Sequence, residues 1–141
     1  MVYLGIDYGD ARTGVAVSVS GTSMAIPVET IASKRTLEVV QRVLELMEER
    51  GADCVVVGMP VSMDGTRGRA ARRVERFVAA LEKAMQERGI KGILHTWDER
   101  RTTVEAETML ARASIKRSKR KAVVDQVAAT VILEGFLRSL P

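Results

Sequence analysis

Three acids, Asp7, Glu99 and Asp125, each fall at the end of an apolar stretch or inside one. Asp7 follows the strand-like run Val2 to Ile6 and leads into Y-G-D-A-R-T-G, after which Val15, Val17 and Val19 alternate with Ala16 and Ser18. Glu99 stands with Asp98 where an apolar strand gives way to a helix, and Asp125 is framed by Val124, Val127 and Ala128. A carboxylate in such surroundings is costly unless a cation or several hydrogen bonds offset its burial. Carboxylate oxygens suit Mg²⁺ or Mn²⁺ rather than zinc. Two such ions about 3.5–4 Å apart can activate water and stabilise the leaving oxygen of a phosphodiester. Arg12 brings a cation able to hold a phosphate, while Gly9 and Gly14 keep the flanking backbone bare. The competing reading is that Asp7 only caps a turn that the glycines shape, and a short motif by itself does not decide between them.

For these acids to meet, the strands that carry them must end at one edge of a sheet. The link from Asp7 to Val15 is too short for a crossover, so the first two strands should pair as an antiparallel hairpin. Met24 to Ile31 reads as a third strand, which Pro27 pushes to the sheet edge because it cannot donate to a ladder. A helix follows from Thr36 to Arg50, with Leu37, Val40, Leu44 and Met47 on one face and Gly51 as its stop. Asp53 to Pro60 is a continuous apolar run, expected of a strand covered on both faces, and Cys54 packs in it as a small hydrophobe. Val61 to Gly68 reads as a loop, and a second helix runs from Arg69 to Arg88 with Val74, Phe77, Val78, Leu81 and Met85 facing inward. Ile90 to Trp97 is the fifth strand, with His95 as a half-buried strand residue. Thr102 and Glu105 form a capping-box pattern for a helix reaching about Arg112, and Ser118 is the expected N-cap of a last helix. The order β-β-β-α-β-α-β-α-α implies one α/β domain over residues 1–141. Its mixed five-stranded sheet has three antiparallel strands, then two parallel ones, with helices on both faces. Asp7, the 61–68 loop, Glu99 and Asp125 then share the C-terminal edge of the sheet.

Composition narrows the classes. With 46% hydrophobic and 28% charged residues the chain is a soluble globular domain, and its formal charge of +4 favours an anionic partner. Aromatics make up only 4%, so stacking on aromatic platforms is not its main way of holding nucleic acid. One cysteine and one histidine exclude an intrachain disulfide and a zinc site built from several Cys or His ligands of one chain. No apolar run approaches the ~20 residues of a membrane span, and no basic-then-apolar leader opens the sequence, so the expected location is the cytoplasm.

Positive charge is concentrated twice. Arg69, Arg72, Arg73 and Arg76 stand at i, i+3, i+4 and i+7, one stripe along the start of the second helix. Lys116, Arg117, Lys119, Arg120 and Lys121 crowd the approach to the last helix with no acid among them. Both stretches are candidates for the phosphate backbone of a nucleic acid, against the blander reading of solvated faces.

Four blocks together carry a resemblance: L-G-I-D-Y-G-D-A-R-T-G-V-A-V-S, V-V-V-G-M-P-V-S-M-D-G, D-E-R-R-T-T-V-E-A and R-K-A-V-V-D-Q-V-A-A-T-V-I-L. In this order they resemble the bacterial YqgF family, also called RuvX, over nearly the whole chain. The resemblance implies a ribonuclease H-like fold and a metal-dependent nuclease, either a Holliday junction resolvase or the nuclease that matures the 5′ end of pre-16S ribosomal RNA. It implies Asp7, Glu99 and Asp125 as the acids, and Arg12, Arg100 and Thr102 as contacts to the scissile backbone. Resolvases of the RuvC type use a fourth acid near the end of the fourth strand, where this chain reads G-M-P-V-S; Asp64 and Asp98 are the nearest substitutes.

Two other classes compete. The hairpin also fits actin-like ATP-binding proteins, but those close two such domains over the nucleotide and this chain has one. A non-catalytic RNA-binding domain would suit the basic stripes, yet three acids at its edge would repel the ligand for no gain. Symmetrical cleavage of a four-way junction needs a dimer with a large apolar interface, and no helix shows a surplus apolar stripe. The expected substrate is therefore the single-stranded RNA precursor, with branched DNA as the alternative. Ribosomal particles are a further expected partner, and the chain is expected as a monomer or weak homodimer.

Overall fold

The computed structural model describes residues 1–60, 68–98 and 117–141, with the backbone alone for 117–123. These form β1 (Tyr3–Tyr8), β2 (Arg12–Ser18), β3 (Ala25–Ala32), α1 (Thr36–Arg50), β4 (Cys54–Met59), α2 (Arg69–Glu87), β5 (Ile93–Asp98) and α3 (Arg117–Ser139). The strands make one five-stranded sheet in the order β3-β2-β1-β4-β5. β1 pairs antiparallel with β2, β2 antiparallel with β3, and β1–β4 and β4–β5 run parallel, the mixed topology expected from the sequence. Pro27 does lie on an edge strand, opposite Ala16, beside a register shift between Val15 and Ala16.

Strand alternation sorts the side chains into two cores. Leu4, Ile6, Val15, Val17, Val55 and Val57 face α1 and α2, where they pack with Val43, Leu44, Phe77 and Leu81. Ala16, Val56, Ala129, Ile132, Leu133 and Phe136 build the second core under α3. Every residue of β4 is buried, because β1 and β5 flank it and helices cover both its faces. His95 and Trp97 lie against Phe136, with ring centroids 4.8 Å and 6.0 Å away.

Both early helices end alike. Gly51 has φ 61° and Gly89 φ 65°. Their amides bond Glu48 and Gln86, while the next amides, of Ala52 and Ile90, reach back to Met47 and Met85. This is the Schellman arrangement, in which a left-handed glycine lets two otherwise orphaned carbonyls be satisfied. It claims Ile90 for the helix cap, so the fifth strand starts at Ile93 and not at Ile90.

Two further local expectations are corrected. Leu37 is 75% exposed; the buried arc of α1 is Val39, Val40, Val43, Leu44, Leu46 and Met47, and Leu37 lies on its flank. Ser118 is not an N-cap, since α3 already includes Arg117. The loop from Val61, the helix from Thr102 to Arg112, and with them Asp64, Glu99, Arg100, Thr102 and Lys116, lie outside the described residues. No described helix is long and apolar enough to cross a membrane.

Candidate active site

β1 is the central strand, and its alternation decides where Asp7 stands. Leu4 and Ile6 point into the core of α1 and α2, so Gly5 and Asp7 take the opposite face, under α3. At Gly5 an added Cβ would stand 2.7 Å from Leu133 Cβ and 2.8 Å from the Ala129 carbonyl oxygen, both on α3. Asp7 is paired across the ladder with Gly14 of β2. At Gly14 an added Cβ would meet the carbonyl oxygen of Asp125 at 1.8 Å. The bare backbone at Gly5 and Gly14 thus lets α3 settle directly on the sheet, and it sets Asp125 over the strand beside Asp7. Gly9 has a different reason: its Cβ would fall 2.4 Å from the carbonyl oxygen of Arg12, so the hairpin turn itself excludes a side chain.

Asp125 is held by Arg12, whose Nε donates to Oδ2 at 2.9 Å. The aspartate side chain is 18% exposed and the arginine 41%, so the cation lies on the solvent side of the pair. Burial raises the Asp125 carboxyl above the ordinary aspartate value, and Arg12 opposes this without cancelling it. Sequence reasoning set Arg12 on the substrate backbone; here its Nε is on Asp125.

Other polar residues of α3 fix its angle, and the sequence did not single them out. Gln126 Nε2 donates to Thr30 Oγ1 at 3.1 Å, and the Ala25 amide donates to Glu134 Oε2 at 2.9 Å, so α3 is tied to edge strand β3 at two heights. Their signal was there: polar side chains at intervals along an otherwise apolar helix.

On the other face, Tyr8 fastens α1 and α2 to the same end of β1. Its ring stacks on Phe77 with centroids 4.2 Å apart and planes 12° from parallel, and its hydroxyl is 2.8 Å from Thr36 Oγ1. Arg73 forms an ion pair with Asp10 in the hairpin turn, which binds the start of α2 to the β1–β2 connection. Arg69, Arg72 and Arg76 are exposed. Arg117, Lys119, Arg120 and Lys121 occupy the first turns of α3, ahead of Asp125, with only their backbone described.

The structure therefore brings together Asp7, Arg12 and Asp125, with the start of α2 held at the same end of β1. Among the described residues no three His, Cys, Asp or Glu side chains gather closely enough to hold a metal ion, and Glu99 lies outside them. Asp98, weighed as a fourth acid, ends β5 in register with Met59, whose side chain belongs to the core of α1 and α2. It is thus on the face opposite Asp7.

Comparison with known proteins agrees with this architecture. A family model described as RuvX, Holliday junction resolvase, matches residues 1–139. A protein of Acetivibrio thermocellus is 44% identical over 140 residues, 99% of this chain and 96% of the relative. One of Halothermothrix orenii is 39% identical over 137 residues, 97% of this chain and 94% of the relative. Both bear the provisional name pre-16S rRNA nuclease. Among solved structures, T. thermophilus RuvC in complex with Holliday junction substrate has a TM-score of 0.61 at 20% identity, covering 99% of this chain and 94% of that one. Fowlpox virus resolvase with Holliday junction DNA has a TM-score of 0.58 at 10% identity, covering 99% and 98%. These two structures speak for the fold, which is ribonuclease H-like.

Proposed function

The chain belongs to the RuvX family, and from that premise we propose that this nuclease works with divalent cations held by Asp7, Glu99 and Asp125 and processes the 5′ end of pre-16S ribosomal RNA. The observation that carries the reading is the convergence of Asp7 and Asp125 on one face, across Gly14, at the end of the central strand. The donor set fits Mg²⁺ or Mn²⁺, since both described acids offer carboxylate oxygen and Asp125 already takes a cationic partner where it is partly buried. The third ligand, Glu99, rests on the D-E-R block of the sequence. The chemistry such cations supply is activation of a water and neutralisation of charge developing on the phosphodiester.

The remaining roles belong to the chain's own cations. Arg69, Arg72 and Arg76, exposed along α2, and Lys116, Arg117, Lys119, Arg120 and Lys121 before Asp125 hold the backbone phosphates on either side. Arg12, Arg100 and Thr102 are assigned nearest the scissile group. We assign the reaction to the cytoplasm, with ribosomal particles as partners.

The provisional names of the relatives favour ribosomal RNA, while the family description favours a junction. Symmetrical junction cleavage needs a stable pair of active sites. Of the large exposed apolar side chains among the described residues, Met1, Val19 and Leu140 line one depression, Met24 accepts the Val19 amide beside it through its carbonyl, and Ile26, Leu37 and Ile93 lie on β3, α1 and β5. We infer a monomer or weak dimer acting on single-stranded RNA. The test is purified protein with Mn²⁺, offered the precursor's 5′ leader and an immobile four-way junction in parallel, with its mass measured in solution. Cleavage of the leader by a monomer supports the reading; paired nicks in the junction by a stable dimer, with the leader intact, replace it with the resolvase.

A further inference from the structure

We propose that Arg12 is an exchangeable counter-ion of Asp125, displaced when a backbone phosphate takes its guanidinium, so that nucleic acid and metal bind the site cooperatively. This rests on Asp125 being a metal ligand, and it adds an order of assembly to that role.

The two partners differ in freedom. Asp125 is fixed: its backbone is pressed against Gly14, where not even a Cβ fits, and its side chain is 18% exposed. Arg12 is a long side chain at the first residue of β2, 41% exposed. When the pair breaks, it is the arginine that moves. Its guanidinium suits carboxylate and phosphate equally well in shape, so an arriving phosphodiester competes for the same donors.

The pair has a consequence for metal. A cation approaching Asp125 meets a carboxylate already neutralised by Arg12 through Oδ2, and it also meets the positive charge of Arg12 itself. Metal affinity is therefore held down until Arg12 leaves. Nucleic acid offers Arg12 a second anion, and the released carboxylate then binds metal more tightly. By linkage the effect is reciprocal: metal on Asp125 releases Arg12 for phosphate. Arg12 acts here through Asp125, as a positioning residue.

The measurement is Mn²⁺ affinity of the full chain, read from the electron paramagnetic resonance signal of free Mn²⁺, with and without a nuclease-resistant single-stranded oligoribonucleotide. The proteins are wild type, Arg12→Gln, Arg12→Lys and Asp125→Asn. Coupling of this kind is typically 5–150-fold, so Arg12→Gln without oligonucleotide is expected to bind Mn²⁺ about tenfold more tightly than wild type. The oligonucleotide raises wild-type affinity by about the same factor and that of Arg12→Gln by less than about threefold. Arg12→Lys, which keeps the charge, stays close to wild type. An Arg12→Gln protein no tighter than wild type, while Asp125→Asn loses Mn²⁺, overturns the exchange and leaves the metal site standing. A wild-type affinity that ignores the oligonucleotide overturns it without recourse to any variant. If Asp125→Asn binds Mn²⁺ as well as wild type does, the metal assignment falls and takes the exchange with it.

Discussion

Gly14 lies directly beneath the carbonyl group of Asp125, so close that a methyl group on Gly14 would have its carbon 1.8 Å from that oxygen. The glycine is the seat of α3, and a small side chain there must lift the helix, carrying Asp125 away from Asp7. Overpacking commonly costs 1–3 kcal/mol, and here the obstacle is backbone, so Gly14→Ala is expected to lose about 3 kcal/mol or more. Urea unfolding checks this: the midpoint falls, and cleavage falls with it even at urea concentrations where the variant is still folded.

Asp7 tests the chemistry apart from the fold. It is half-buried at the end of β1, and asparagine keeps its shape while removing its charge. Asp7→Asn is expected to retain the wild-type circular dichroism and elution volume. Cleavage with Mn²⁺ should fall by about 100-fold or more, the equivalent of roughly 2.7 kcal/mol of transition-state stabilisation. Cleavage at the wild-type rate would remove Asp7 from the site.

The raised pKa of Asp125, caused first by burial, has a stability consequence without metal. A carboxyl with a higher pKa in the folded state binds its proton more tightly when folded. Its ionisation therefore removes stability as pH rises from the unfolded value of about 3.9 through the folded one. Asp125→Asn avoids that loss. In chelator, the variant should melt at a higher temperature than wild type at pH 7, and the difference should shrink as pH falls below about 4. A variant less stable at pH 7 would mean that the bond with Arg12 outweighs burial.

Much of this arrangement was legible in the chain, because local patterns and the global fold agree. The Asp7–Gly14 hairpin followed from link length, the edge position of β3 from Pro27, and the covered strand β4 from its unbroken apolar run. What escaped was set by tertiary approach. Gly5 and Gly14 look like turn or strand glycines, yet their reason is a helix more than a hundred residues further along the chain. Arg12 carries no mark that it pairs with Asp125, since phosphate and carboxylate call for the same guanidinium. Leu37 misled because i, i+3 spacing defines a stripe without saying which side of it the sheet covers.

The α2 arginines show the same limit, and they can be separated by salt. Spacing made Arg69, Arg72, Arg73 and Arg76 one stripe, but Arg73 is paired with Asp10 while the other three are exposed. A phosphate contact made by an exposed arginine displaces condensed counterions. For a single strand, each contact contributes about 0.7 to the slope of log affinity against log salt. Arg69→Gln combined with Arg76→Gln is therefore expected to weaken binding of the RNA leader about equally across sequences and to reduce the slope by roughly 1.4. Arg73→Gln should change the slope by less than either single exposed substitution, because its charge already has an acid beside it. Its effect should appear instead in thermal stability, through the lost tie between α2 and the hairpin. A slope that responds to Arg73 as strongly as to Arg69 would mean that the Asp10 pair opens whenever RNA arrives, and that all four arginines reach the phosphates.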